Sequence, residues 1–584
     1  MALSRIRSLI RRRRRSLRVW HHSAFQIPIA SAEQRLGIEP SRADHVLTWL
    51  LARRLVNADD VESAREASWE DLLRVHDSDY VAQLDDPQVM ARILGLEPAL
   101  FSTASIIEMW RRSTGAATDA LAWAVQTRGC AAVLAGGFHH AHPAAGTGFC
   151  GINDVAVAVR VLRLRGYTGK VAIVDVDAHP PDGIAACLDP ERDGIRLISV
   201  GVQSSWETPD WVFDHRVPSG GDDVAYLKAV DAAIKDLGKP DVVIVLAGAD
   251  PLGGDRYGGL ATTPKGLAER DRRLFAAIGD RPTVLFPAGG YTPGAWRVFA
   301  TAVATFAGER ESPAASFDPL MHRTRRIMRT LDPGELGTSD AWLTGADVAE
   351  ALGMPTQEHR FLGLYTEQGV AYALTRYGLL DTLQRMGFQG LSVHVDAQAP
   401  PHLLRISAMV GGEQQVLFEL SARERRIDDL DTLFIEWLTL RDPRVPFATN
   451  KPRLPGQDAP GLGLGEQALV LIRALAERAS LDAVSLVPSH FHVAWMVRDQ
   501  FFFLDPTREG RFRAVLDGTI RQPLHRVSER LDGQGIPTEW DEVLKWDPGP
   551  MVWPLTGAAR DALANHAKEA RAVRARLKGA LLPA

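Results

Sequence analysis

The chain has 584 residues, too many for one ordinary domain; at roughly 150 residues per domain, two to four are expected. With 46% hydrophobic and 24% charged residues, it is not a wholly disordered, collagenous or coiled-coil protein. A net charge of −5 gives no general attraction to nucleic acid, and three cysteines (Cys130, Cys150, Cys187) suit a reducing cytoplasm better than a disulfide framework.

Residues 1–17 read as a basic tail: Arg5, Arg7 and Arg11 to Arg15 lead to Arg18. Val19-Trp20-His21-His22 follows, where a secretion signal would place an apolar run. No apolar run of about 18 residues offers a membrane span, so no membrane partner is expected. From 18 to 308 helical patterns, such as 42–56 and the alanine-rich 114–127, alternate with short apolar runs at 131–135, 171–174, 242–246 and 283–286. That alternation predicts an α/β domain with a parallel sheet.

Residues 309–338, with Glu311-Ser-Pro313, Asp318-Pro-Leu320 and Asp332-Pro-Gly-Glu335, read as a linker. A second, α+β domain is expected over 339–555. Its predicted elements are a helix at 371–386 and strands at 391–395, 402–407, 415–420 and 433–440 in a mostly meandering sheet. A glycine turn, a helix at 467–478 and a strand at 483–487 follow. Residues 556–584 predict a basic terminal helix.

Every apolar run of the first domain ends in reactive polar groups. The first leads into Gly136-Gly-Phe-His-His140, the second into Asp175-Val-Asp-Ala-His179, the third into Ala247-Gly-Ala-Asp250 and the fourth into Gly289-Gly-Tyr291. Ligands of open parallel sheets bind at the carboxyl ends of the strands, so four segments deliver these groups to one edge. Asp177 and His179, two apart, share a face of an extended segment, and Asp250 completes an Asp-His-Asp set with open coordination positions. His139 and His140 can pass a proton if Asp175 and Asp182 orient them, and Tyr291 can donate to a developing oxyanion. The set suits metal-assisted amide hydrolysis.

These stretches, with Val61-Glu-Ser-Ala-Arg-Glu-Ala-Ser-Trp-Glu-Asp-Leu-Leu-Arg-Val-His76, Gly148-Phe-Cys150, Asn153-Asp154 and Gly254-Asp-Arg-Tyr-Gly-Gly-Leu260, resemble the arginase-like histone deacetylase family. The resemblance is strongest to its class IV branch and spans about 18–308. It implies Zn²⁺ on Asp177, His179 and Asp250, a base among His139 and His140, and Tyr291 on the scissile carbonyl. It further implies an acyl-lysine channel lined by Phe149, a Gly137 carbonyl that accepts the substrate amide hydrogen, and a structural K⁺ near Asp175 and Ser199. The expected substrate is an acylated protein or a small acylated amine. One departure stands out. Where the family carries His or Gln, Gly, Asn or Asp, then Gly, this chain has Pro180-Pro-Asp-Gly183, and the two prolines remove two backbone donors.

The second half resembles the Gcn5-related N-acetyltransferases in its order of helix, strands, glycine turn, helix and strand. There the turn Gly461-Leu-Gly-Leu-Gly465 would hold the pyrophosphate of acetyl-coenzyme A on backbone N–H groups at a helix start, beside a splayed strand 433–440, with 490–501 as the following helix. Gln457 and Arg453 lie too far upstream to complete the usual turn motif. His490-Phe-His492 offers two ligand types, fewer than a metal site needs.

Overall fold

The computed structural model describes residues 16–29, 32–203, 208–337, 359–447, 452–540 and 542–578. Most of the expected basic tail and the expected start of the second domain at 339 lie outside them. The chain divides into two compact units, 1–323 with 385–387, and 324–384 with 388–584.

The first unit is built on eight strands: β1 (Leu17–His21), β2 (Val61–Ser63), β3 (Cys130–Val133), β4 (Val171–Asp175), β5 (Ile195–Val202), β6 (Phe213–Val217), β7 (Val242–Leu246) and β8 (Thr283–Phe286). They form one sheet in the order β2-β1-β3-β8-β7-β4-β5-β6, with every pair parallel. Strands β3, β4, β7 and β8 are buried at every position, as strands covered on both faces must be. They are the four apolar runs legible in the sequence. The expected tail loses its last residue to the sheet, because Leu17 pairs with Cys130 at the start of β1. The helix expected at 114–127 begins earlier and spans Thr103–Thr127, with Ile106, Met109 and Trp110 extending its buried face. Cys130, Cys150 and Cys187 are all buried thiols, none of them in a disulfide among the described residues.

The stretch read as a linker contains a helix, Pro319–Met328. In the second unit β9 (Gln389–Asp396), β10 (His402–Val410), β11 (Glu413–Ile427) and β12 (Leu430–Leu440) run antiparallel in sequence order. β13 (Ala483–Leu486) joins β12 in parallel, and β17 (Met551–Pro554) and β14 (Phe502–Phe503) continue the sheet antiparallel. The remaining strands, β15 (Ile536–Pro537) and β16 (Val543–Leu544), form a separate pair. The helix expected at 371–386 is two helices, Glu367–Arg376 and Leu379–Arg385, parted at Gly378, whose φ is +83°. The helix expected at 490–501 covers only Phe491–Met496. A basic helix, Gly557–Leu577, closes the described chain.

Among the described residues no helix is long and apolar enough to cross a membrane.

Candidate active site

The carboxyl ends of β3, β4, β7 and β8 carry the groups expected of them: the strands are largely apolar, β4 closes on Asp175, and the other reactive residues follow the sheet's edge. Asp177, His179 and Asp250 each offer a ligand atom within 4.8 Å of the others. His179 Nδ1 stands 2.9 Å from Asp250 Oδ2 and 3.2 Å from Asp177 Oδ1. Backbone donors fix the carboxylates: Gly289 N–H donates to Asp177 Oδ2 at 2.6 Å, and Ala178 N–H to Asp250 Oδ1 at 2.9 Å. Both aspartates are fully buried.

Electrostatics follow from that crowding. Burial opposes a charge on His179, yet the two carboxylates outweigh it and push the imidazole up to about 11. Burial first, then the charge of Asp177, pushes Asp250 up to about 8, whereas the cations around Asp177 overcome burial and hold it well below the usual carboxylate range. One imidazole and two convergent buried carboxylates form a donor set for a divalent cation with open positions. A Cβ at Gly289 would stand 2.6 Å from Asp177 Oδ2 and 2.6 Å from Asp250 Oδ2, so only glycine leaves this cradle open. The residues fit zinc.

Beside the cradle lie two imidazole–carboxylate pairs. His139 Nδ1 is 2.7 Å from Asp175 Oδ2, and His140 Nδ1 is 2.5 Å from Asp182 Oδ1. The rings sit 4.1 Å apart between centroids, with His139 Nε2 at 3.8 Å from Asp177 Oδ1. Burial works against charge on both. For His139 the carboxylates Asp175 and Asp177 prevail and push it up to about 9, while burial and repulsion from His139 push His140 down to about 4. The two histidines are therefore poised in opposite protonation states, a usual sign of divided acid and base roles.

Tyr291 is held through its own N–H, which donates to Asp255 Oδ2 at 2.6 Å. Burial and the charges of Asp177 and Asp250 raise its phenol well above the ordinary range, so the hydroxyl stays a donor. Phe149, at a positive φ of 67°, places its ring 5.6 Å from that of Tyr291 and 6.1 Å from that of Tyr257. The Gly137 carbonyl already accepts the His139 N–H at 2.8 Å, leaving its second lone pair for a substrate amide. Behind these groups is a cavity of about 770 Å³, open space at its mouth included, lined by apolar residues such as Phe25, Ile27, Ile38 and Met109 and by Arg42.

Several contributors have no role assigned from the sequence, although Asp154, Asp255 and Tyr257 lie in stretches that carry the resemblance. Asp154, fully buried, accepts N–H bonds from Gly137 at 3.0 Å and Phe138 at 2.9 Å, and so shapes the turn that presents His139 and His140. Its position in the first turn of the Asp154–Leu164 helix, where carboxylates are ordinary, concealed that role. Asp255, Tyr257, Arg42 and His142 were likewise legible only in three dimensions.

In the second unit Gly461 and Gly463 lie in a turn before the Gly465–Arg478 helix. Asp442 N–H, just past β12, donates to Pro460 O at 2.7 Å and ties that turn to the strand. The rings of His490 and His492 stack 5.4 Å apart but bond to different partners: His490 Nδ1 meets Asp532 Oδ2 at 2.8 Å, and buried His492 meets Ser528 Oγ at 3.0 Å.

The histone deacetylase domain profile matches residues 37–307. Over 303 residues, 48% of this chain and 76% of the relative, the chain is 27% identical to histone deacetylase 2 of Arabidopsis thaliana. Over 287 residues, 47% of this chain and 91% of the relative, it is 32% identical to an uncharacterised protein of a Picosynechococcus species. It is also similar to the crystal structure of an HDAC homologue from Aquifex aeolicus, with a TM-score of 0.42 at 19% identity, covering 56% of this chain and 91% of that one. By its matched domain the chain belongs to the arginase-like histone deacetylase family and is a hydrolase of amide bonds.

Proposed function

We propose that the first unit is a zinc-dependent deacylase acting on acyl-lysine or a related acylated amine. The observation that carries this reading is the convergence of Asp177, His179 and Asp250 with two His–Asp pairs and Tyr291 at one end of a parallel sheet. Zinc held by the three ligands would supply Lewis acidity and lower the pKa of water at the site. His140, neutral at pH 7, takes a proton at Nε2 while Asp182 holds its Nδ1–H. His139, charged through Asp175, supports the negative charge that develops nearby and is placed to return a proton to the leaving amine. Tyr291 donates its hydroxyl to the scissile carbonyl oxygen. Phe149 packs on the methylene stem, Gly137 O accepts the amide N–H, and the apolar cavity accommodates the acyl end. A K⁺ near Asp175 and Ser199, which face each other across β4 and β5, belongs to the same reading, as does a cytoplasmic location. Hydrolysis of a fluorogenic acetyl-lysine peptide, with loss on chelation and recovery on adding zinc, tests it. A non-catalytic acyl-lysine binder is the alternative, and the intact His–Asp pairs and Tyr291 favour turnover.

A second reading concerns the other unit: an acetyltransferase-like fold that binds acetyl-coenzyme A. The supporting observation is in β12. It pairs with β13 only from Thr432 to Ile435, then bulges at Glu436 and runs on to Leu440, whose carbonyl lies beside Gly461 of the glycine turn. Backbone N–H groups of Gly461, Gly463 and Gly465 at that helix start would face the pyrophosphate. Calorimetric titration of the full chain with acetyl-coenzyme A tests it, and absence of heat at millimolar ligand would reduce the unit to a scaffold.

A further inference from the structure

Asp182 holds two imidazoles, and only one belongs to the relay described above. Its Oδ1 meets His140 Nδ1 at 2.5 Å, and its Oδ2 meets His142 Nε2 at 3.0 Å. The loop that presents His142 is fixed at several points. His142 N–H donates to Ala145 O at 2.8 Å, and its carbonyl accepts from His76 Nδ1 at 3.0 Å. The other nitrogen of His76 accepts the Asn153 N–H at 3.0 Å, and Asn153 Nδ2 donates to Ala141 O at 2.9 Å. The His142 ring is thus presented by an anchored backbone, although its side chain is 37% exposed against 7% for His140.

A carboxylate gripped by one oxygen alone turns readily about its last torsion, which is broad for aspartate. A second hydrogen bond on the other oxygen removes that freedom. The side-chain bonds of Asp182 run to the two imidazoles, His140 on Oδ1 and His142 on Oδ2.

We propose that His142 is a positioning residue for the deacylase relay: its Nε2–H locks Asp182 so that Oδ1 stays in line with His140 Nδ1. The inference rests on the deacylase reading of this site. His142 touches neither the ligand cradle nor the cavity behind it, so its effect passes through Asp182 and His140.

The test uses the full chain loaded with zinc and a fluorogenic acetyl-lysine peptide, with His142→Ala and His142→Gln beside the wild type. Glutamine places an N–H donor near the position of Nε2. His142→Ala is expected to lower kcat about 10-fold at unchanged KM, the lower end of what loss of an orienting partner costs. His142→Gln should recover to within about 3-fold of wild type, both variants keeping wild-type zinc content and melting temperature. A readout that needs no turnover accompanies these rates: the low-field proton resonance of the short His140–Asp182 hydrogen bond, observed in ¹⁵N-histidine-labelled protein. It should persist in the wild type and His142→Gln, and move upfield or vanish in His142→Ala. Unchanged kcat in His142→Ala, an effect confined to KM, or an equal loss in both variants would overturn the proposal. If the wild type itself shows no hydrolysis, the deacylase reading fails, and an unchanged resonance in His142→Ala would then overturn the positioning role separately.

Discussion

The two sheets of this chain distribute their polar residues in opposite ways. In the first unit β3, β4, β7 and β8 are buried along their whole length, so polar side chains are few within the strands (Thr283 opens β8 and Asp175 closes β4) and collect at or just beyond one end. In the second unit β11 alternates buried and accessible positions from Phe418 to Arg423, and Arg423, Glu424, Arg425 and Arg426 follow one another near its end. A sheet covered on both faces and wound in parallel concentrates chemistry at an edge, whereas a meandering sheet open on one face spreads it over a surface. The difference explains why the first unit gathers Asp-His-Asp and two His–Asp pairs, while His490 and His492 turn to separate partners, Asp532 and Ser528.

The largest expected effect lies in the concentrated site. His140→Ala removes the neutral base and should lower kcat about 10³-fold while zinc content stays at the wild-type level. Loss of metal in that variant would show that the pairs and the cradle are not separate. Tyr291→Phe should cost about 10²-fold in kcat, again with metal retained, and normal turnover would remove the tyrosine from its assigned role.

The same contrast decided what the sequence could reveal. Continuous apolar runs closed by glycine made β3, β4, β7 and β8 visible, and with them every residue of the cradle and both His–Asp pairs. β1 and β6 passed unnoticed because Arg18 and His21 in one, and Asp214, His215 and Arg216 in the other, break the apolar pattern near the sheet's margin. The divided helix at 371–386 kept its helical spacing through Gly378, so the apolar period alone hid the break. His142 was invisible for another reason: its link to Asp182, at the start of the Asp182–Cys187 helix, spans 40 residues of sequence, and nothing local distinguishes it from a solvated histidine.

Smaller effects sharpen the comparison from the second unit. Gly463 has a φ of +79°, so Gly463→Val both strains the turn and fills the approach to its N–H groups. The change should weaken acetyl-coenzyme A binding at least about 10-fold in calorimetry and leave peptide hydrolysis untouched, since the turn and the cradle belong to different units. Equal binding in the variant would remove the turn from the proposed site.

The smallest effect concerns stability. Burial, then repulsion from His490, pushes His492 down to about 4 against the pull of Asp532, so the unfolded chain takes up a proton at higher pH than the folded one. Stability is therefore lost as pH falls from about 6.5 towards 4, on the order of 2 kcal/mol. Urea unfolding at pH 7 and pH 4.5 should show this loss in the wild type and a smaller one in His492→Gln. Identical pH slopes in both would contradict the assignment.

In the proposed function Asp177, His179 and Asp250 form one metal cradle that drives amide hydrolysis. Its most direct test is metal content measured together with turnover of a fluorogenic acetyl-lysine peptide, for the wild type and Asp250→Ala after both are reconstituted with zinc. The expected result is a zinc-loaded, active wild type and a folded variant that has lost both metal and activity. Full zinc occupancy and undiminished turnover in Asp250→Ala would contradict it.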